Sequence, residues 1–242
     1  MVLKYLICNL KAHKTYYEMS LYKDALKTIP NNNTKLIIAP STAYLALFKN
    51  ENITLCSQDI NINNDLYLTG DTSIETLKSL DVEYTIIGHY ERRNYYNESY
   101  NIILKKIKTA LDQDLKVIYC IGETKEEYLR KVKYQILEQS IAKILNNIPE
   151  DKFKDIIIAY EPAYLIGSNE PYDIEEIENT IKFIKRLIES YYHHKISIIF
   201  GGNVNEENIK ELTNIKEIDG YILGSSCLNP VNVKTIIDII KD

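Results

Sequence analysis

Two ionisable side chains lie directly after apolar segments, where they could move a proton. His89 follows the apolar run 84–87 and a single glycine, and a neutral imidazole can accept and return a proton near pH 7. Glu161 ends another apolar run and precedes Pro162, which disfavours a helical conformation at Glu161. This carboxylate is placed like a general base beneath a mobile loop, although a surface glutamate that begins a loop is the alternative.

Asn9 and Lys11 form a third group at the end of the first apolar run. Because they are two residues apart in an extended segment, both side chains can face the same side. The lysine could neutralise a substrate phosphate or a developing negative charge. A single lysine in a loop is usually solvated, so this interpretation depends on the other groups. His13, in the polar loop that follows, is expected at the surface.

Eight short apolar runs, rich in β-forming residues, must position these groups. Most of the runs are continuous rather than alternating, as expected of strands that are buried on both faces of a parallel sheet. They cover residues 3–8, 35–39, 54–57, 84–87, 116–120, 155–160, 196–200 and 221–223. Segments with helical spacing lie between them, at residues 100–111, 125–145, 174–191, 208–212 and 231–240.

This succession of strands and helices predicts an α/β fold, a single (β/α)8 TIM barrel that spans residues 1–242 as one domain. No linker, low-complexity stretch or change of composition divides the chain. An open doubly wound sheet is the rival architecture, but its dinucleotide fingerprint G-x-G-x-x-G is missing. In a barrel, His193 and His194 precede the seventh strand and should form a solvent-exposed pair at the face opposite the site.

The chain has only 8 glycines, so their positions carry information. Six of them follow strand ends, on the face where such barrels build their sites: Gly88, Gly122, Gly167, Gly201, Gly202 and Gly224. Ordinary turns would explain any one of these glycines, but they explain the whole set less well. The loops after strands seven and eight contain Gly201-Gly202-Asn203 and Gly224-Ser225, where backbone N–H groups could hold a phosphate.

Composition excludes several classes of protein. The 29 basic and 34 acidic residues are dispersed and give a net charge of −5, which argues against general nucleic-acid binding. No apolar run approaches the length of a membrane span, and the N-terminus lacks the features of a signal peptide, so a cytoplasmic protein is expected. The four cysteines are far apart and form no C-x-x-C pair, which predicts reduced thiols rather than a zinc site or disulfides.

Taken together, these segments resemble the triosephosphate isomerase family over nearly the whole chain. The family's motifs occur in one register as Asn9-Leu10-Lys11, Gly88-His89-Tyr90-Glu91-Arg92-Arg93, Cys120-Ile121-Gly122-Glu123, Ala159-Tyr160-Glu161-Pro162, Ile166-Gly167, Gly201-Gly202 and Gly224. The resemblance implies interconversion of dihydroxyacetone phosphate and glyceraldehyde 3-phosphate in glycolysis and gluconeogenesis, without a metal or an organic cofactor.

The same resemblance implies a role for each catalytic residue. Glu161 would abstract a carbon-bound proton and give an enediolate, while a neutral His89 would polarise the carbonyl and move protons between the oxygens. Lys11 and Asn9 would stabilise the developing charge, and Glu91 would hydrogen-bond within the site. The segment 162–168 and the residues beyond it would form a lid over the substrate.

Phosphate binding and subunit contact are implied in the same way. The substrate would be held by Asn9, Lys11, Gly167, Asn203, Gly224 and Ser225. The loop from Gln58 to Asp71 would reach into a second copy of the chain, where Thr69 would support the partner's Asn9 and Lys11. A homodimer is therefore expected.

The chain departs from the family pattern in four places. Tyr90 replaces a small serine beside His89, Asn203 replaces a serine in the phosphate loop, and Leu68 replaces an aromatic residue in the subunit loop. In the lid, Asn169-Glu170-Pro171 replaces the usual glycine and lysine. A barrel that has lost catalysis and another phosphosugar isomerase are the two competing functions. The first has no reason to keep the reactive groups, and the second does not explain the combination of motifs.

Overall fold

Parallel strands that close on themselves form the centre of the molecule. The computed structural model describes residues 4–30, 33–63, 66–168 and 173–241. Within these ranges eight strands pair in sequence order, and the first also pairs with the last, so the sheet is a closed barrel. This confirms the predicted (β/α)8 architecture and excludes the open sheet. The strands are β1 Lys4–Asn9, β2 Thr34–Ala39, β3 Thr54–Ser57, β4 Val82–Ile87, β5 Lys116–Ile121, β6 Ile156–Tyr160, β7 Ser197–Phe200 and β8 Gly220–Leu223.

Helices and 3₁₀ turns connect the strands. The α-helices of the described residues are α1 Tyr16–Leu26, α2 Ile74–Ser79, α3 Tyr90–Tyr95, α4 Tyr100–Asp112, α5 Lys125–Leu129, α6 Lys133–Leu145, α7 Ile174–Tyr192, α8 Ile209–Leu212 and α9 Pro230–Ile240. The 3₁₀ turns cover Thr42–Phe48, Glu150–Asp155, Ala163–Leu165 and Ser225–Leu228. None of the described helices is long and apolar enough to cross a membrane.

Local side chains set where the helices begin. Thr15 and Glu18 form a capping box before α1, and Thr124 and Glu127 form another before α5. In each box the threonine accepts from a backbone N–H of the first turn while the glutamate accepts from the N–H of the cap. Pro230 opens α9, where its missing N–H costs no hydrogen bond. These caps therefore fix the junctions between loops and helices.

Some predicted element boundaries differ from those of the structure. The segment 125–145 was expected to be one helical stretch, but it is two helices, because Lys131 adopts a left-handed backbone with φ of 59°. That conformation breaks the hydrogen-bond ladder of an α-helix, and a new helix begins at Lys133. Asp155, predicted to begin the sixth strand, instead ends a 3₁₀ turn.

Both faces of the barrel strands are buried, which explains why their sequences are continuously apolar. The side chain of Ile7 points into the barrel, whereas its neighbours in β1, Leu6 and Cys8, belong to the core between the strands and the helices. The inner layer consists of Ile7, Ile37, Ala39, Cys56, Tyr84, Ile86, Ile118, Cys120, Ile157, Ala159, Ile199 and Ile222. Small members of this layer lie near the carboxyl ends of strands, which leaves room for polar groups above them.

The two adjacent histidines differ in environment. His193 is exposed and ends α7 in a left-handed conformation with φ of 53°. His194 is only half-exposed, because its ring packs edge-on against Phe153 with centroids 5.2 Å apart. Its Nε2 atom lies 3.5 Å from a carboxylate oxygen of Glu150. The prediction of a solvent-exposed pair therefore holds fully for His193 and in part for His194, whose side chain is 40% exposed.

Candidate active site

A cavity of about 120 Å³ opens at the carboxyl ends of the strands. It is lined by Asn9, Lys11, His13, His89, Glu161, Ile166, Gly167, Gly202, Asn203, Val204, Ile222, Leu223, Gly224 and Ser225. Every residue that the sequence suggested for catalysis or substrate binding is in this set except Glu91, which contacts Lys11 from the side. His13 is exposed as expected, but it also lines the cavity, which the sequence did not reveal.

Glu161 is held at the end of β6 by close packing of backbone. Its N–H donates to the Ile121 carbonyl at 2.8 Å, and the residue is only 6% exposed. A Cβ atom at Gly122 would lie 1.9 Å from the Glu161 carbonyl oxygen, and one at Gly201 would lie 2.8 Å from the carboxylate. Burial, followed by the Glu161 charge, raises the pKa of the Cys120 thiol, which stays neutral. Gly122, directly after β5, therefore leaves room for the Glu161 backbone, and Gly201, directly after β7, leaves room for its carboxylate.

His89 faces Glu161 across the cavity. Its Nε2 atom lies 3.8 Å from a carboxylate oxygen of Glu161, and the residue is 5% exposed. The Nδ1 atom accepts a long hydrogen bond, 3.4 Å, from the Glu91 N–H in the first turn of α3. In a neutral imidazole whose Nδ1 accepts a hydrogen bond, the ring proton is on Nε2, and in His89 this is the nitrogen that faces Glu161.

Lys11 is positioned by contacts along its whole length. Its backbone has a φ of 50°, and its N–H donates to the Asn9 side-chain oxygen at 3.1 Å. The Lys11 carbonyl accepts from the Gln58 amide at 2.8 Å, and the same amide donates to Ala39 at 2.9 Å. The Lys11 ammonium forms an ion pair with Glu91. Sequence reasoning assigned Gln58 only to the subunit loop and missed that it holds Lys11.

Glu123 anchors the segment that follows Glu161. The Glu123 carbonyl accepts from the Ala163 N–H at 2.9 Å, and its carboxyl group accepts from the Tyr160 hydroxyl at 3.1 Å. The Glu123 side chain is fully buried, and this burial raises the pKa of its carboxyl group. The base of the predicted lid is therefore fixed to the end of β5.

The described part of the lid reaches the loop after β7. Gly167 has a φ of 69° and lines the cavity. The Asn203 side-chain amide donates to the Ser168 carbonyl at 2.6 Å. Gly202, with a φ of 114°, allows close approach, since a Cβ atom there would lie 3.1 Å from Leu165 Cβ. The predicted hinge Asn169-Glu170-Pro171 lies outside the described residues.

Charged residues brace the loops beside the site. The Arg92 guanidinium lies 2.7 Å from carboxylate oxygens of both Asp59 and Glu98, and the Lys106 ammonium contacts the same two acids at 2.6 and 2.7 Å. Arg92 therefore joins the loops after β3 and β4 through these ion pairs. Tyr90 is half-buried and does not belong to the cavity lining.

No group of three or more His, Cys, Asp or Glu side chains in the described ranges is arranged to hold a metal ion. The cavity instead brings together an imidazole, a carboxylate and an ammonium group, and glycine-containing loops line it on one side. Such a set can transfer a proton from carbon and stabilise an oxyanion.

Comparison with known proteins identifies close relatives of the chain. A family model described as triosephosphate isomerase matches residues 4–240. The chain is 38% identical to the triosephosphate isomerase of Buchnera aphidicola subsp. Baizongia pistaciae, over 82% of this chain and 81% of that relative. It is 33% identical to the one from Mycoplasmoides gallisepticum over 94% of both chains. For the enzyme of Thermodesulfovibrio yellowstonii the identity is 34%, over 97% of this chain and 98% of the relative.

Proposed function

The chain belongs to the triosephosphate isomerase family and is an isomerase, and from this premise we propose that it interconverts dihydroxyacetone phosphate and D-glyceraldehyde 3-phosphate. The observation that carries the proposal is the placement of Glu161, His89 and Lys11 on one cavity. A barrel that only binds a ligand needs no proton acceptor and proton donor facing each other. The reaction proceeds through an enediolate.

Glu161 acts as the base in this proposal. Its carboxylate takes the proton from the carbon next to the carbonyl and returns it to the neighbouring carbon. The 3.8 Å between the Glu161 carboxylate and His89 Nε2 exceeds a hydrogen bond, so both groups are available to a substrate. Burial of Glu161 also keeps bulk water away from the carboxylate during this step.

His89 and Lys11 act on the oxygens of the substrate. The proton on His89 Nε2 is donated to the carbonyl oxygen and then moves between the two oxygens of the enediolate. A neutral histidine is the state known for this enzyme family. The Lys11 ammonium and the Asn9 amide stabilise the negative charge, and Glu91 holds Lys11 through their ion pair.

The phosphate group occupies the glycine-rich end of the cavity, where Gly167, Asn203, Gly224 and Ser225 meet Lys11. Closure of the segment 162–168 and the residues beyond it excludes water, which prevents loss of phosphate from the enediolate. No metal or organic cofactor takes part. We place the reaction in glycolysis and gluconeogenesis in the cytoplasm, within one domain of residues 1–242, and we expect no nucleic-acid or membrane partner. The four free, buried cysteines support a reducing compartment.

A coupled assay tests the proposal directly. Formation of dihydroxyacetone phosphate from glyceraldehyde 3-phosphate is measured with purified chain and a dehydrogenase that consumes the product. We expect turnover without added metal, in the presence of a chelator. A folded chain without turnover would support the non-catalytic barrel, and turnover of other phosphosugars alone would support a different isomerase.

Tyr90 tests whether the large residue beside His89 affects the reaction. Because Tyr90 lies outside the cavity lining, Tyr90→Ser is expected to change kcat/KM less than about tenfold, roughly 1.4 kcal/mol. Steady-state kinetics in the coupled assay measure the ratio, with Tyr95→Ser as a control on the exposed end of the same helix. A gain above tenfold would mean that the tyrosine impairs or redirects catalysis.

We also propose a homodimer formed through the loop from Gln58 to Asp71. The described part of this loop exposes three consecutive apolar residues: Leu66 is 68% exposed, Tyr67 95% and Leu68 41%. A contiguous apolar patch of this kind is typical of a protein interface. Thr69, also exposed, would then support Asn9 and Lys11 of the other copy.

Tyr67→Asp is expected to shift the dimer to monomer at micromolar concentration, because the carboxylate would be buried without a partner. Loss of support for Lys11 should lower kcat by about tenfold or more. Analytical ultracentrifugation and the coupled assay measure the two effects. Tyr191→Asp, on a tyrosine that is 70% exposed near the end of α7, is the matched control. If both variants sediment like the wild type, the proposed interface is wrong.

A further inference from the structure

Glu206 connects the loop after β7 with the elements after β8. One oxygen of its carboxylate accepts from the Ser226 hydroxyl at 3.2 Å, and the other accepts from the Asn232 side-chain amide at 2.9 Å. Ser226 lies in the 3₁₀ turn Ser225–Leu228, and Asn232 lies in the first turns of α9. All three residues are half-buried. Each carboxylate oxygen of Glu206, in the loop after β7, therefore has its own hydrogen-bond partner among the elements after β8.

The loop that carries Glu206 is internally cross-linked. The Asn203 carbonyl accepts from the side-chain amides of Asn208 at 2.9 Å and Asn205 at 3.3 Å. The Asn205 N–H in turn donates to the Asn208 side-chain oxygen at 2.9 Å. Because the loop is braced in this way, the position of Glu206 is coupled to that of Asn203, which lines the cavity.

The 3₁₀ turn on the other side is fastened toward the start of the chain as well. The Tyr22 hydroxyl donates to the Cys227 carbonyl at 2.7 Å, and the Lys14 ammonium donates to the Leu228 carbonyl at 2.9 Å. These contacts hold the turn against α1 and the loop before it. Glu206 connects the same turn to the loop after β7.

We propose that Glu206 is a positioning residue that sets the separation between the two halves of the phosphate site. One half is Gly202 and Asn203, and the other is Gly224 and Ser225. The inference rests on the proposed function, in which these loops hold the phosphate of the substrate. Glu206 does not belong to the cavity lining, and its negative charge opposes binding of a phosphate dianion. Glu206 therefore aids phosphate binding through the positions of the two loops, while its charge opposes that binding.

Glu206→Gln separates the effect of the hydrogen bonds of Glu206 from the effect of its charge. The side-chain oxygen of Glu206→Gln can accept from Asn232, and its amide can donate to Ser226, since a serine hydroxyl either donates or accepts. Glu206→Ala removes both hydrogen bonds. Glu207, the exposed neighbour of the same charge, gives the matched controls Glu207→Gln and Glu207→Ala.

Two measurements are made on the whole chain: the dissociation constant of inorganic phosphate by calorimetry, and steady-state kinetics. Glu206→Ala is expected to weaken phosphate binding and raise KM about fivefold relative to Glu207→Ala, with a smaller change in kcat. Glu206→Gln should stay within about twofold of Glu207→Gln. A thermal unfolding curve for each variant confirms that it is folded.

A double-mutant cycle with Ser226→Ala identifies the contact itself, since the effects of Glu206→Ala and Ser226→Ala should be less than additive. Equal phosphate binding and KM in Glu206→Ala and Glu207→Ala would overturn the inference. So would a loss in Glu206→Gln as large as that in Glu206→Ala, because charge would then dominate. The calorimetric measurement needs no turnover, so an inactive wild type would refute the proposed function separately from this inference.

Discussion

Glu161→Gln is expected to lower kcat by about 10³-fold or more, because the amide cannot accept a proton from carbon. Glu161→Asp keeps the carboxylate but withdraws it by about the length of one methylene group, and misplacement on that scale costs about 10²-fold. The coupled assay measures both variants against the wild type. Equal activity in the wild type and either variant would refute the proposed mechanism.

Glu161→Gln should leave the fold intact. One oxygen of the Glu161 carboxylate, Oε2, is buried and accepts no hydrogen bond from the described residues. Removal of a buried charge in this position costs little or no stability, so the thermal midpoint of Glu161→Gln should equal or exceed that of the wild type. Glu207→Gln, which removes a charge from an exposed site, is the control for both activity and stability.

Lys11→Met is expected to lower kcat/KM by about 10³-fold, because the cation is lost from the point where negative charge develops. Methionine keeps most of the volume of the side chain, and the backbone bonds to Asn9 and Gln58 do not depend on the ammonium group. The loss should appear in both kcat and KM, since Lys11 is proposed to contact the phosphate and the oxyanion.

Lys108→Met provides the control for Lys11→Met, because Lys108 is an exposed cation on α4. It changes the net charge equally but should leave the kinetics unaltered. A Lys11→Met variant that is folded and retains wild-type kcat/KM would show that the ammonium group has no role in the reaction. Circular dichroism checks that each variant is folded.

Sequence patterns predicted the barrel well because its strands are buried on both faces. Continuous apolar runs identified all eight strands to within a few residues, and the caps at Thr15 and Thr124 show why helices begin where they do. The break at Lys131 escaped prediction, since a single left-handed residue leaves the spacing of apolar residues almost unchanged. The environment of His194 was also missed, because its contact with Phe153 joins two distant parts of the chain.

The residues of the candidate site were predictable because parallel strands bring their carboxyl ends to one face. Asn9 ends β1, Glu161 directly follows β6 and His89 follows β4 after one glycine, so their convergence follows from the barrel itself. The contacts that orient them were not predictable in the same way. No sequence pattern indicates that His89 accepts a hydrogen bond from the Glu91 N–H, or that the Gln58 side chain donates to the Lys11 carbonyl.

The sequence alone determined the architecture of this protein and the set of reactive groups at one end of the barrel. Those features depend on local patterns, namely apolar runs, caps and the residue types at strand ends. Only the tertiary structure shows which distant side chains hold the loops around the candidate site, such as Gln58, which donates to the Lys11 carbonyl, and Glu206, which accepts from Ser226 and Asn232. Such contacts form between residues distant along the chain, and their formation depends on ångström-scale separations that only the packed elements set.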